Sequence, residues 1–109
     1  MVLVKPSKTF NKELENVLAY TRAEFGGTTV KRFNKEYSKI SKRLATHPLS
    51  SPTEPLLKRF PRLYRSAIIR KNWKIIYRYD DVYDRVVLVD LWDMRRNPQT
   101  LVRQFKKKL

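Results

Sequence analysis

The fold of this chain is decided by the stretch YRSAIIRKNWKIIYRY, residues 64–79. Two runs, 64–70 and 73–79, are rich in the β-branched and aromatic residues that suit a pleated surface. They flank the dipeptide Lys71-Asn72. We therefore predict two antiparallel strands that are joined by a two-residue turn.

Pairing across this turn predicts a sheet face that carries cations. A two-residue turn places Arg65 opposite Arg78 and Ile69 opposite Lys74. Since side chains alternate along a strand, Arg65, Lys74 and Arg78 then share one face. Like charges that face each other directly destabilise a sheet, so we infer that this face offers its cations to an anion. The other face, predicted to join the core, carries Tyr64, Ile68, Ile75, Tyr77 and Tyr79.

Composition restricts the class of partner. The chain has 109 residues, which suits one domain over 1–109, and its apolar share of 41% can support a core. It has 25 Lys and Arg against 10 Asp and Glu, a formal net charge of +15. Such self-repulsion predicts a polyanionic or acidic partner, either nucleic acid, a ribosome or an acidic protein segment. Charges that are merely solvated are the alternative.

The same composition bears on location. Cysteine is absent, which excludes disulfides and thiol chemistry and fits a reducing, cytoplasmic location. No apolar run is long enough to span a bilayer, so we expect no membrane association. The first residues lack the features of a signal peptide and predict a short strand that ends at Pro6.

Helical patterns on either side of the hairpin complete the fold. Apolar residues recur at helical spacing in 8–25 and again in 28–46, and the Gly26-Gly27 link favours an antiparallel pair. Prolines interrupt 47–63, which predicts a long loop, and Asn97-Pro98 predicts the start of a last helix. The predicted order is β-α-α-β-β-β-α. This is an α+β fold with two N-terminal antiparallel helices packed on a small, mainly antiparallel sheet.

A further strand is predicted at 85–92, after a turn at 80–84. If Arg78 pairs with Val86 across this turn, then Lys74 faces Asp90 and forms a cross-strand ion pair with it. This register also sends three apolar side chains to the core face, Val87, Val89 and Leu91.

Most catalytic constellations are missing. His47 is the only histidine, and its place beside Pro48 predicts a loop residue rather than a base. One histidine and no cysteine argue against a zinc site, and two glycines in one turn leave no phosphate-cradling loop. Asp90 and Asp93 are able to bind a metal, but their predicted neighbours favour ion pairs, Asp93 with Arg95. We therefore expect no metal and no cofactor.

What remains is a set of candidate cations, Arg65, Lys74, Arg78, Arg95 and Arg96. Cations held in place can stabilise charge on a phosphate, or they can simply bind the RNA backbone. Tryptophans can stack on RNA bases. Trp73 lies on the predicted core face. Trp92 lies on the predicted cationic face, where a core position and a base contact are both open.

In its order of elements and in two segments, 63–78 and 89–98, the chain resembles the RelE/ParE superfamily of bacterial toxins. The second segment carries the sequence VDLWDMRRNP. Members are the toxic halves of toxin–antitoxin modules, also called plasmid stabilisation proteins, and an antitoxin wraps the toxin to inactivate it. RelE-like members cleave mRNA in the ribosomal A site without metal, whereas ParE-like members inhibit DNA gyrase.

The resemblance to RelE-type ribonucleases implies catalytic roles for Arg65, Lys74 and Arg95, which fall at basic positions of that family. Two positions depart from the pattern. Ala67 replaces one cation, and Leu101 stands nearest to the family's C-terminal tyrosine or histidine. The same resemblance implies RNA contacts for Arg78, Arg96 and Trp92.

These observations leave two function classes open, and we favour the first. The first is a ribosome-dependent mRNA endoribonuclease, which the cationic sheet face favours; its partners are the cognate antitoxin, the ribosome and mRNA. The second is a non-enzymatic inhibitor of DNA gyrase, which the missing tyrosine or histidine favours. A third possibility is an inactive relative that only binds its antitoxin. The oligomeric state stays open.

Overall fold

The computed structural model describes residues 1–108 and shows a four-stranded sheet between two helical layers. Helices α1 (Lys8–Phe25) and α2 (Gly27–Thr46) pack on the first face of the sheet. Helix α3 (Pro98–Lys106) and a 3₁₀ turn (Pro55–Leu57) pack on the second face. The predicted α+β fold and its element order are confirmed. The strands are β1 (Leu3–Pro6), β2 (Arg65–Ile69), β3 (Trp73–Asp80) and β4 (Arg85–Asp93).

Local signals fix the ends of the helices. The Ser7 hydroxyl accepts a hydrogen bond from a backbone N–H in the first turn of α1 and so caps this helix. Gly26 has φ of 85°, a conformation that favours glycine, and it joins α1 to α2. Asn97 caps α3, and Pro98 occupies the first helical position, as predicted. Within residues 1–108, no helix combines the length and the apolar character that a bilayer crossing requires.

The strand order is β1-β4-β3-β2, with β1 parallel to β4 and the other pairs antiparallel. Strands β1 and β2 are therefore the edges. The start of β2 is partly covered, since the Ser66 N–H donates to the Pro52 carbonyl at 3.1 Å and Thr53 forms a bridge with Arg65. The predicted loop thus runs along this edge of the sheet.

The turn between β2 and β3 has three residues, so the predicted two-residue turn is wrong. Arg70 and Lys71 have φ of 54° and 66°, and Asn72 completes the turn. Ile69 consequently pairs with Trp73 rather than with a residue further along β3. A slip of one residue moves every side chain of β2 to the other face relative to β3.

This slip separates the predicted cations. Arg65 lies opposite Tyr77, and not Arg78, on the face that packs against α1 and α2. Lys74 lies opposite Ile68 on the second face. Ile68, which was expected in the core, is 60% exposed. The predicted face shared by all three cations is therefore wrong, because only Lys74 and Arg78 lie on the same side.

A bulge in β4 changes the second pairing as well. Ile76 pairs with Asp90 and Tyr77 pairs with Leu88, so Val89 is an extra residue on β4. Beyond the bulge, the inward and outward positions of β4 are exchanged relative to a regular ladder. Strict alternation of side chains along β4, if it is continued across the bulge, therefore assigns half of the strand to the wrong face.

The half of β4 before the bulge shows the exchange most clearly. Arg78 lies opposite Val87, and not opposite Val86 as predicted. Val86 and Leu88 are buried against α1 and α2, whereas Val87 is half-buried on the second face. Val87 was predicted to join the first core, so this placement is a correction. Leu91 does join that core, as predicted.

Two apolar cores result, one on each face. The core beneath α1 and α2 contains Phe10, Phe33, Ile40, Leu44, Ala67, Ile69, Trp73, Ile75, Tyr77, Val86, Leu88 and Leu91. The core beneath α3 contains Leu57, Ile76, Trp92, Leu101 and Phe105. Tyr64 and Val89, both predicted for the first core, pack against the second.

The loop over 47–63 is held by side chains of regular elements. The Tyr77 hydroxyl donates to the Pro48 carbonyl at 2.9 Å and accepts from the Ser51 N–H at 3.3 Å. Arg43 of α2 donates to the Ser51 hydroxyl at 2.9 Å. These bonds hold the loop against Tyr77 of the first core and against α2.

Candidate functional site

Arg65, the first predicted catalytic cation, binds the proline-rich loop. Its Nη1 donates to the Ser51 carbonyl at 2.8 Å and to the Leu49 carbonyl at 3.4 Å. The side chain thus ties the loop to the first residue of β2. A guanidinium that already serves two carbonyls has fewer donors left for a phosphate.

Lys74, the second, forms a buried ion pair. Its Nζ lies 2.6 Å from Glu54 Oε2, and the two side chains are 11% and 1% exposed. Lys74 lies opposite Trp92 on β4, so the predicted pair with Asp90 is wrong. The other Glu54 oxygen accepts from the Leu56 N–H at 3.3 Å and caps the 3₁₀ turn. A phosphate that reached Lys74 would have to displace a buried carboxylate.

Arg95, the third, is paired with Asp93 as predicted. Its Nε and Nη2 lie 3.0 Å from the two carboxylate oxygens. The guanidinium also lies 5.3 Å from the ring centroid of Trp73 and 5.9 Å from that of Tyr20. The hydrogen bond between the two groups raises the pKa of Arg95 and lowers the pKa of Asp93. Arg95 is therefore a fixed cation with no capacity to accept a proton.

The three cations do not surround a common point. Arg65 and Lys74 belong to opposite faces of the sheet, and Arg95 lies beside Trp73 at the α1–α2 side. Catalysis of phosphodiester cleavage requires charges that converge on one phosphate. The structure does not bring the predicted catalytic set together.

Arg96 and Trp92, which were both predicted to contact RNA, contact each other. The Arg96 guanidinium lies 4.6 Å from the ring centroid of Trp92. Trp92 is 2% exposed and packs in the second core, so the core position is the one that the structure supports. Arg96 is exposed, and its RNA contact stays a prediction.

Arg78, the remaining RNA candidate, lies in an open basic depression on the second face of the sheet. The depression has a volume of about 440 Å³. Its cations come from three separate elements, namely Arg62 of the loop, Arg78 of β3 and Lys108 after α3. The residues that line it are Ser7, Thr9, Arg62, Tyr64, Arg78, Val87, Val89 and Lys108, and none of them is acidic.

The charges of this basic depression are only partly offset by neighbours. Burial lowers the pKa of Arg78, and the like charge of Arg62 lowers it further, while Asp80 opposes the shift. Cations gathered in a concave surface create a positive potential that attracts anions. Sequence reasoning missed Arg62 and Lys108, because the first lies in an irregular loop and the second follows the end of α3, where no pattern places their side chains.

A buried carboxylate lies beside α3. Asp90 is 3% exposed, and its Oδ1 accepts from the Leu91 N–H at 2.8 Å. Burial raises the pKa of Asp90, while Lys108 and Arg96 act in the opposite direction. Among residues 1–108, no three His, Cys, Asp or Glu side chains are arranged to hold a metal ion.

Asp90→Asn should raise the thermal stability near neutral pH. Because the folded pKa of Asp90 lies above its unfolded value, the native state binds the extra proton. The stability from this group is complete below the unfolded pKa and is lost as the pH rises through the folded pKa. The melting temperatures of the two proteins should therefore converge as the pH is lowered from about 7 to about 4. A difference in melting temperature that does not change with pH would contradict this account, and so would a variant that is less stable than the wild type near neutral pH.

A sequence profile described as "ParE toxin of type II toxin-antitoxin system, parDE" matches residues 4–98. The chain belongs to the ParE toxin family. The RelE/ParE resemblance is thereby confirmed. This ParE-family chain is the toxin of a toxin–antitoxin system, and an antitoxin is its partner. No curated protein shows significant sequence similarity to it.

Solved structures of toxins share the fold of this ParE-family toxin. The chromosomal ParDE system of P. aeruginosa contains a chain with a TM-score of 0.67 at 11% identity, covering 85% of this chain and 96% of that one. A metal-bound toxin from Helicobacter pylori gives 0.64 at 22% identity, with coverages of 87% and 97%. YafQ from E. coli gives 0.57 at 18% identity, with coverages of 87% and 96%. At these identities, the likeness concerns the fold alone.

Proposed function

We propose that this ParE-family toxin arrests growth by binding DNA gyrase as a protein ligand, without cleaving RNA. Inhibition of gyrase is what the family resemblance implies for ParE-like members. The observation that carries the proposal is the buried Lys74–Glu54 pair, because it removes the central cation of the ribonuclease hypothesis from the surface.

The other residues to which the RelE resemblance implies a catalytic role also argue against RNA cleavage. General acid–base catalysis needs a side chain whose pKa lies near the working pH. Leu101, at the position nearest to the family's tyrosine or histidine, is fully buried in the second core. Arg95 has its pKa raised further from neutrality by Asp93. No proton acceptor stands where the resemblance would place one.

The antitoxin, in this proposal, neutralises the charge of the toxin as well as covering it. The formal net charge of +15 opposes close approach to another basic protein and favours an acidic segment. The basic depression, with Arg62, Arg78 and Lys108 and no lining carboxylate, is the surface best suited to such a segment.

The proposal is tested by adding purified toxin to a gyrase supercoiling reaction and, in parallel, to an in vitro translation reaction. We expect loss of supercoiling or trapped gyrase–DNA complexes, together with intact mRNA by primer extension. Toxin that is premixed with the product of the adjacent gene serves as the control, and it should leave gyrase active. Unaffected gyrase at saturating toxin would overturn the proposal.

The second candidate is cleavage of mRNA on the ribosome, and the basic depression is the observation that favours it. Three cations converge there beside the Tyr64 ring, which is the surface that a phosphodiester would select. In the same pair of reactions, this candidate requires new 5′ ends within translated codons and unaffected supercoiling. It also requires that Arg78→Ala abolish those ends.

A further inference from the structure

A second pocket lies on the opposite side of the sheet, at the tip of the α1–α2 pair. It has a volume of about 200 Å³ and lies between the end of α1, the start of α2 and the β2–β3 turn. We name it the tip pocket. The residues that line it are Thr21, Phe25, Thr29, Phe33, Arg70, Asn72 and Trp73.

Aromatic rings form the walls of the tip pocket. Phe33 and Trp73 pack edge to face, with ring centroids 5.9 Å apart at an interplanar angle of 80°. Phe25 is 58% exposed at the mouth and packs edge to face on Tyr20 at 6.3 Å. A cavity of this size with rings on several sides suits a single flat ring system.

Thr21 gives the tip pocket a polar group without a partner. Its residue is 1% exposed, and within residues 1–108 its hydroxyl makes no hydrogen bond. A buried hydroxyl that is left unpaired is unfavourable, and such groups in native proteins call for a specific explanation. A ligand with a hydrogen-bonding edge supplies one.

The β2–β3 turn brings two further polar side chains to the tip pocket. Arg70 and Lys71 hold positive φ values although neither is glycine, a strained conformation of the kind that occurs at binding sites. The Arg70 N–H donates to Glu36 Oε2 at 2.5 Å, which fixes the turn against α2. Arg70 and Asn72 thus line the pocket on a backbone that is held in place.

Arg70 is the cationic residue that lines the tip pocket. No acidic residue lines it. The Arg95 guanidinium lies 5.3 Å from the Trp73 ring, and it forms an ion pair with Asp93. A ligand that combines a flat ring, a hydrogen-bonding edge and a negative charge matches these three properties together.

We propose that the tip pocket binds one unpaired nucleotide of a single-stranded nucleic acid. The base enters between Phe25, Phe33 and Trp73. The Thr21 hydroxyl and the Asn72 amide bond to the edge of the base, and Arg70 binds the adjoining phosphate. Unstacked bases on aromatic side chains are the general mode of single-strand recognition. This site is distinct from the basic depression, because it lies on the other face of the sheet, and it does not rest on the gyrase proposal.

The test is an NMR titration of the full chain with AMP, CMP, GMP and UMP. The two tryptophan indole N–H signals provide an internal comparison, since Trp73 lines the tip pocket and Trp92 is buried in the second core. We expect a saturable shift of the Trp73 signal and little change at Trp92. No saturable shift with any of the four nucleotides would overturn the proposal. A shift confined to Arg78 and its neighbours would overturn it as well.

Matched variants distinguish specific binding in the tip pocket from non-specific electrostatic attraction of the nucleotide. Thr21→Val keeps the shape of the side chain and should weaken binding about fivefold to tenfold, whereas Thr21→Ser should retain it. Arg70→Gln should weaken binding more than Arg59→Gln, which removes the same charge from an exposed loop position. Equal losses from the two arginine variants would indicate general electrostatics and would contradict the proposal. N-acetyltyrosinamide is the competing ligand, and its binding in place of the nucleotides would identify a peptide site instead.

Discussion

Replacing Glu54 by Ala should destabilise the domain by about 3–5 kcal/mol, since this change leaves the Lys74 ammonium buried without its partner. The ion pair joins Glu54 of the loop to β3 at 2.6 Å, and both side chains are almost inaccessible. The same change removes the cap of the 3₁₀ turn. Because small domains are stable by only about 5–15 kcal/mol, much of the total would be lost.

The measurement is urea unfolding of the wild type, Glu54→Ala and the control Asp81→Ala. Asp81 is exposed in the β3–β4 turn, so its loss should change the free energy of unfolding by no more than about 0.5 kcal/mol. A Glu54→Ala variant within about 1 kcal/mol of the wild type would show that the pair does not stabilise the fold.

Val86→Asp should prevent folding, whereas Val87→Asp should not. Val86 is fully buried beneath α1 and α2, and a carboxylate there has no partner. Val87 lines the basic depression next to Arg78, so an aspartate there meets cations. The register that alternation predicts would give the reverse outcome, with Val87 in the core. The two substitutions therefore test the register of β4 in one comparison.

Circular dichroism and size-exclusion chromatography of both variants provide the readout. We expect the Val86→Asp protein to be unfolded or insoluble, and the Val87→Asp protein to keep the wild-type spectrum. The Val87→Asp variant should also bind anionic ligands less well, since its charge lies in the depression. Two folded variants, or an unfolded Val87→Asp variant, would contradict the register described above.

The helices and the order of elements follow from the sequence for clear physical reasons. Apolar spacing of three and four residues specifies α1 and α2, and the cap residues Ser7 and Asn97 act as short-range signals. In each case the residues that interact are separated by about one turn of helix. They do not depend on the rest of the chain, so a local pattern predicts them.

The faces of the hairpin could not be obtained in the same way. The three-residue turn relies on positive φ at Arg70 and Lys71, where Gly or Asn would be the usual signal. The bulge at Val89 has no signature in the sequence either. In a structure with a side-chain period of two, each of these irregularities exchanges the two faces. The strands were therefore predicted correctly, and so were the faces of β3, whereas the faces of β2 and of the first half of β4 were not.

The candidate site was predicted only in part for a related reason. The partner of Lys74 is Glu54, which lies in a proline-rich loop where no periodic pattern places side chains. Arg62 and Lys108 reach the basic depression from the same loop and from the end of the chain. The sequence shows that cations are abundant. Which of them converge is decided by tertiary contacts.

We infer that the buried Lys74 has a structural role in the toxin and takes no part in chemistry. The double substitution Glu54→Leu and Lys74→Met replaces the buried pair by apolar groups, a change that is often neutral or stabilising. Growth after induction of this double variant, at soluble expression equal to that of the wild type, tests the claim most directly. We predict growth arrest as strong as that of the wild type, relieved by the antitoxin. A folded double variant that permits normal growth would contradict the claim and place Lys74 in the active surface.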